Sequence, residues 1–345
     1  MAKQTSPIIT LLSLLILLFT ISITTEGTKK TSYGVHNVND YHYRKLFVFG
    51  DSYADTGNFL NSPSYKPPYG ITFPRQPSGR FSDGRVLTDY IASTLNIKSP
   101  APYSLRNSSD LQFGINFAYG GTGVFNTFLK GPNMTTQIDT FEELIKQKIY
   151  TKSDIDSSVA LVSFAGNDYF PYLFKDGINI KEILVFGASL IKQLSINLKR
   201  IHSVGINKIA IGLLEPVGCL PVITKTYDKC HAVINLLVMK HNEVLLQAVQ
   251  DLNKENESVF VTLDLYKSFL SVIETMQKNS TVGNVLRPCC VPESSIYRCG
   301  SVDERGQKKY SLCDNPELSF FWDDIHPTQN GWDAVYKMVQ ASLSL

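Results

Sequence analysis

The chain has 345 residues, is 43% hydrophobic and 19% charged, and carries a formal net charge of +2. That near balance argues against a nucleic-acid polyanion as partner. An aromatic content of 11%, without low-complexity tracts, argues against disorder. No repeat of fixed period runs through the sequence, which sets aside solenoids and propellers.

Residues 1–27 start with a basic Lys3 and then run apolar from Ile8 to Ile23. The run is short and lightly flanked for a membrane span, and it reads as a secretory signal peptide. Residues 28–44 are a polar stretch, and residues 45–345 read as one domain. No later segment is apolar for long enough to cross a bilayer, so a secreted, extracellular protein is expected.

A strand-then-helix rhythm follows. Short apolar runs at 45–50, 113–118, 159–165, 209–214 and 259–263 read as five buried strands. Between them, Ile183, Leu190, Ile191, Leu194, Leu198 and Ile201 mark one face of a helix that Gly205 can stop. Val233, Leu237, Val244, Leu245 and Leu252 mark another, and a last helix is expected from near Thr328 to the C-terminus. Alternating strands and helices imply a mostly parallel sheet covered on both faces. Residues 61–85, rich in Pro, Gly and aromatics, read as an insertion. Its Tyr65, Tyr69, Phe73 and Phe81 are expected in a packed surface loop rather than a substrate groove.

Six cysteines lie in the last third of the chain, without zinc-finger spacing, and read as disulfides of an oxidising compartment. We expect Cys219 to pair with Cys230, and Cys289, Cys290, Cys299 and Cys313 to tie one loop, the adjacent pair taking different partners. N-x-S/T sequons at Asn107, Asn133, Asn256 and Asn279 are expected to be glycosylated at least in part.

Ligands of open parallel sheets bind at the carboxyl ends of the strands. The first run ends in Asp51-Ser52, the second in Tyr119-Gly120-Gly121, the third in Asn167-Asp168, and Asp323-Asp324-Ile325-His326 precedes the last helix. Together they supply what acyl transfer needs. A serine hydroxyl is a weak nucleophile until a base takes its proton. The imidazole of His326 is the expected base, oriented by Asp323 three residues before it. The Ser52 N–H, the Gly121 N–H and the Asn167 amide are the expected oxyanion donors. Ser52 is also expected just before a helix N-terminus, whose dipole favours negative charge. Each piece alone has a plainer reading, a cap for Ser52, a turn for the glycines, a surface pair for Asp323 and His326. The other histidines (His36, His42, His202, His231 and His241) have no ligand cluster around them, which argues against a metal site.

The block VFGDSYADTGN at Val48–Asn58, with NFAYGG, AGND and FWDDIHPT, resembles the plant GDSL esterase/lipases of the SGNH hydrolase superfamily. The resemblance extends from about Lys45 to the C-terminus through RFSDGRVLTDYIA and GCLP. The four naming residues map onto Ser52, Gly121, Asn167 and His326, with Asp323 as the acid; Gly120 and Asp324 stand second for the glycine and the acid. Tyr53 stands where the eponymous leucine would be, and Ala54 departs from the nucleophile elbow of α/β-hydrolases.

The resemblance implies a flavodoxin-like three-layer α/β/α sandwich with a five-stranded parallel sheet in order 2-1-3-4-5. It also implies a secreted hydrolase of lipid or acyl/acetyl esters, working through an acyl-serine, with no metal or organic cofactor. An acyltransferase using the same acyl-serine, or a non-catalytic binding or defence protein on this scaffold, are the alternatives. Oligomeric state is not legible.

Overall fold

Strand β1, Lys45–Gly50, lies at the centre of a six-stranded sheet in which every pairing is parallel. Its neighbours are β3, Gly114–Asn116, and β4, Ser158–Ser163; β5, Ile209–Gly212, and β6, Phe260–Leu263, continue one side. A two-residue edge strand, β2, Ala101–Pro102, closes the other, giving the order β2-β3-β1-β4-β5-β6. The five longer strands keep the expected 2-1-3-4-5 arrangement. The sixth was not expected because a pair of residues ending in proline carries no periodic signal and suits only a sheet edge.

The structure is a computed structural model and describes residues 43–164, 166–175, 177–225, 229–256, 258–278 and 283–343. The expected signal peptide, all of the polar stretch up to residue 42, His36, His42 and Asn279 therefore lie outside the described residues.

β1 and β4 are buried nearly throughout because helices cover both faces. Phe47 and Phe49 pack on Phe141 of α2, Met134–Lys146, beyond α1, Leu87–Thr94. Helix α2 packs beside α3, Ile180–Ser203, which packs on α4, Ala232–Glu255. A second group comprises α1, α5, Leu265–Gln277, and α6, Gln329–Val339. Asn179 caps α3 by accepting the Glu182 N–H, and the helix buries the expected stripe from Ile183 to Ile201. α6 begins after Thr328 as expected but ends at Val339, followed by a 3-10 turn over Gln340–Leu343. Helices α1, α2 and α5 were not read from the sequence.

The disulfides join Cys219 to Cys230, Cys289 to Cys313 and Cys290 to Cys299. The last two surround an antiparallel pair, β7, Cys290–Pro292, with β8, Tyr310–Leu312, and a small second core of Tyr69, Tyr310 and Trp322. Among the described residues no helix is long and apolar enough to cross a membrane.

Candidate active site

β1 delivers Ser52 to the carboxyl edge of the sheet. Gly50 ends the strand so close to β4 that a Cβ there would lie 2.3 Å from the Ser163 carbonyl oxygen. The Gln137 side chain, from α2, bonds both the N–H and the carbonyl of Gly50 at 2.9 Å. The chain then makes a single turn, the N–H groups of Ala54 and Asp55 both donating to the Asp51 carbonyl. No helix follows Ser52, contrary to the sequence expectation. Asp55 ends the turn: its Oδ1 accepts the N–H groups of Gly57 and Asn58, and its Oδ2 accepts Gly120 N–H at 2.9 Å. Any field at Ser52 therefore comes from local N–H groups and not from a helix dipole.

The Asp323–His326 turn meets Ser52 across the edge. His326 Nε2 lies 2.8 Å from Ser52 Oγ, and His326 Nδ1 lies 2.8 Å and 2.9 Å from the two Asp323 oxygens. Nδ1–H donating to a carboxylate leaves Nε2 as an acceptor for the serine proton. Asp323 also accepts the N–H groups of Ile325 and His326 and the Tyr69 hydroxyl. Burial alone would raise the Asp323 carboxyl; the His326 ring and these donors hold it below the usual carboxylate value. Asp324 is turned away and pairs with Lys225.

The three expected donors differ in state. The Ser52 and Gly121 N–H groups have no hydrogen-bond partner among the described residues, whereas Gly120 N–H is held by Asp55. Gly121 sits at φ +80, where a side chain would be strained, with the Leu129 side chain over its Cα. Asn167, the third expected donor, is already engaged. Its amide gives one hydrogen to Asp51 Oδ2 and one to the Thr122 carbonyl, each at 3.0 Å. It ties the Ser52 and Gly121 loops together, and serving an oxyanion requires it to share one of these bonds.

Several contributors were missed from sequence. Asp168 accepts the N–H groups of Val124 and Phe125, binding the loop after Gly121 to the loop that carries Asn167. The Asn58 amide donates to the carbonyls of Asn116 and Ala118, and the Asn116 amide to that of Ala54. Tyr69 and Phe81 were expected only in a packed loop. They are indeed buried, yet Tyr69 reaches Asp323 and the Phe81 ring lies 5.1 Å from that of His326. Composition gave no sign of either, because the partners are more than 200 positions away.

The remaining candidates take separate places. Asn107 is exposed, Asn133 caps α2 by accepting Thr136 N–H, and the Asn256 amide donates to the Leu252 carbonyl. His202 bonds Ile206, His231 caps α4, and His241 lies buried against the Tyr169 hydroxyl. Among the described residues, no group of three or more His, Cys, Asp and Glu is arranged to hold a metal ion.

The profile of the GDSL-like lipase/acylhydrolase family matches residues 46–339. Two Arabidopsis thaliana proteins named as GDSL esterase/lipases are 49% and 47% identical to the chain. The first alignment covers 90% of this chain and 89% of the relative, the second 89% and 90%. A third Arabidopsis protein of that name is 39% identical over 86% of this chain and 85% of its own. The chain belongs to the GDSL-like lipase/acylhydrolase family and by that membership is a carboxylic ester hydrolase.

Proposed function

We propose that this ester hydrolase works through an acyl-serine on Ser52, with His326 as general base and acid, Asp323 as its orienting acid, and substrates that carry an apolar group. The observation that carries the mechanism is the 2.8 Å approach of His326 Nε2 to Ser52 Oγ, with Asp323 on the ring's other nitrogen. Ser52 Oγ attacks the ester carbonyl carbon as its proton passes to Nε2. The carbonyl electron pair moves to oxygen, and the resulting oxyanion takes hydrogen bonds from the Ser52 and Gly121 N–H groups and a shared hydrogen of Asn167. Collapse breaks the bond to the alcohol oxygen, which leaves with the proton from Nε2. A water then gives a proton to Nε2 and its oxygen to the acyl carbon. Ser52 departs with that proton and the acid is released.

An apolar substrate group is supported by the surroundings of the glycines. Phe81 and Phe59 lie against Gly120, Phe59 stacks on Tyr119, and Leu129 covers Gly121. Phe128, beside Leu129, is 78% exposed, and Leu60, beside Phe59, is 50% exposed. Chemistry buried among such side chains favours a chain over a sugar ring. Export is supported by the leader-like residues 1–27 and by the three disulfides, and glycosylation by the exposed Asn107 sequon. The test is an ester panel graded from acetyl to long acyl chains, run on the purified protein and on Leu129→Ser. The expected outcome is a preference for longer chains that the variant loses while keeping acetyl turnover. Equal turnover along the series before substitution overturns the substrate reading.

A further inference from the structure

The most anomalous side chain outside the site is Glu215. It lies in the loop that leaves β5, has no exposed surface, and neither carboxyl oxygen has a hydrogen-bond partner. Burying an unpaired carboxyl is costly, and an apolar residue of similar volume would remove the cost. The groups beside it are the Tyr53 hydroxyl and the Asp51 carboxyl.

We propose that Glu215 is a positioning residue: it fixes Tyr53, and through the bond from Tyr53 to Ile325 it fixes the turn that carries Asp323 and His326. This rests on the reading of Ser52 and His326 as nucleophile and base. Tyr53 follows the nucleophile directly and is buried on all sides. Its hydroxyl donates to the Ile325 carbonyl at 3.0 Å, one residue before His326. Its ring meets the His326 ring edge-on at 5.9 Å and Trp332 at 5.0 Å. A tilt of Tyr53 therefore moves both the carbonyl and the ring beside the proposed base. Because its hydrogen goes to Ile325, the Tyr53 oxygen keeps a lone pair for a donor. Burial pushes the Glu215 carboxyl well above its ordinary value, so it stands as the neutral acid and has a hydrogen to offer that lone pair.

The backbone under Glu215 is fixed. Leu214 exchanges two 2.9 Å bonds with the Asn242 side chain, Glu215 O accepts Val217 N–H at 2.8 Å, and Cys219 is bridged to Cys230. A fully buried side chain rooted in so firm a backbone can act as a stop for the Tyr53 ring.

The experiment compares E215Q, E215L, Y53F and the E215L/Y53F double variant in kcat and KM for a p-nitrophenyl ester, with melting temperature as the check on folding. E215L and Y53F are each expected to lose about tenfold in kcat with KM changed less than about twofold. E215Q, which keeps the shape and a donor, is expected to recover most of that loss. The double variant should be no slower than the slower single, because both act on one element. A folded E215L with unaltered kcat overturns the proposal, as does full additivity in the double variant. Should E215L not fold, Y53F at unaltered kcat overturns it. If the unaltered protein turns over no ester, the serine reading fails and this proposal falls with it, an outcome visible before any comparison.

Discussion

The Tyr69 hydroxyl donates to Asp323 Oδ2 at 2.7 Å, joining the aromatic insertion after β1 to the carboxylate that orients His326. The disulfide loop backs both partners. Tyr69 packs with Cys289, Cys290, Cys299, Tyr310 and Trp322, and Cys290 N–H bonds the Trp322 carbonyl at 2.7 Å, one residue before Asp323. Tyr69→Phe leaves one carboxylate oxygen short of a buried donor. The expected result is a fall of roughly 10- to 150-fold in kcat, in line with the loss of a bond of about 1.5–3 kcal/mol to a charged group, with circular dichroism unchanged. Removing Cys290–Cys299 by paired serines should lower kcat in the same direction and add little to Tyr69→Phe.

Asp55 holds the Gly120 amide and so sets where Gly121 lies. Burial is the main cause that raises its carboxyl to about 6, the N–H bonds of Asn58, Gly57 and Gly120 acting against it. In Asp55→Asn an amide hydrogen competes with those N–H groups. We expect kcat to fall about tenfold or more at pH 8, from a displaced oxyanion donor, as steady-state kinetics would show.

The same carboxyl and His241 act oppositely on stability across one pH window. Because Asp55 has a raised value, its contribution is fully present below the ordinary 3.8 and is lost as pH rises through about 6. Burial depresses the His241 imidazole from 6.5 to about 4, with the Tyr169 hydroxyl bonded to its Nδ1. Between those values the unfolded chain binds a proton that the folded one does not, so stability falls as pH drops from 6.5 towards 4. Each effect is worth about 3 kcal/mol, and they largely cancel between pH 4 and 6. Urea unfolding at pH 4.5, 5.5 and 7 reads the two contributions as differences between each variant and the unaltered protein. Relative to the unaltered protein, Asp55→Asn should lose stability towards acid and His241→Gln should gain it.

Arg80, half-buried, and Asp89, buried, form a bidentate pair, Nε and one Nη donating at 2.8 Å, and Asp89 also accepts Val86 N–H at the start of α1. Arg80→Met strands the carboxylate and should cost about 3–5 kcal/mol, measured as a lower urea midpoint at unchanged slope. Arg80→Met/Asp89→Leu should recover part of the loss.

What the sequence made legible was local. The runs at 45–50 and 209–214, the stripe from Ile183 to Ile201 and the Thr328 cap each lie within one periodic segment, and the structure has strands or helices there. That Ser52, Gly121, Asn167 and the Asp323–His326 pair would lie near one another was readable because strand ends in a parallel sheet converge on one edge. What stayed hidden depends on distant contacts. Asp55 ends the turn after Ser52 through local bonds from Gly57 and Asn58 N–H, but its bond from the distant Gly120 amide could not be read near Ser52. The short apolar stretch of α1 is set by its burial against α6, and nothing local in the sequence tells that Glu215 is fully buried.

The most direct test of the central claim is a covalent one. The unaltered protein is treated with a fluorophosphonate, digested, and the adduct mapped by mass spectrometry. The account predicts one adduct, on the peptide carrying Ser52, whose formation is slowed by more than about a hundredfold in His326→Ala. An adduct on another residue, or ester turnover persisting with Ser52 unmodified and replaced by alanine, would contradict it.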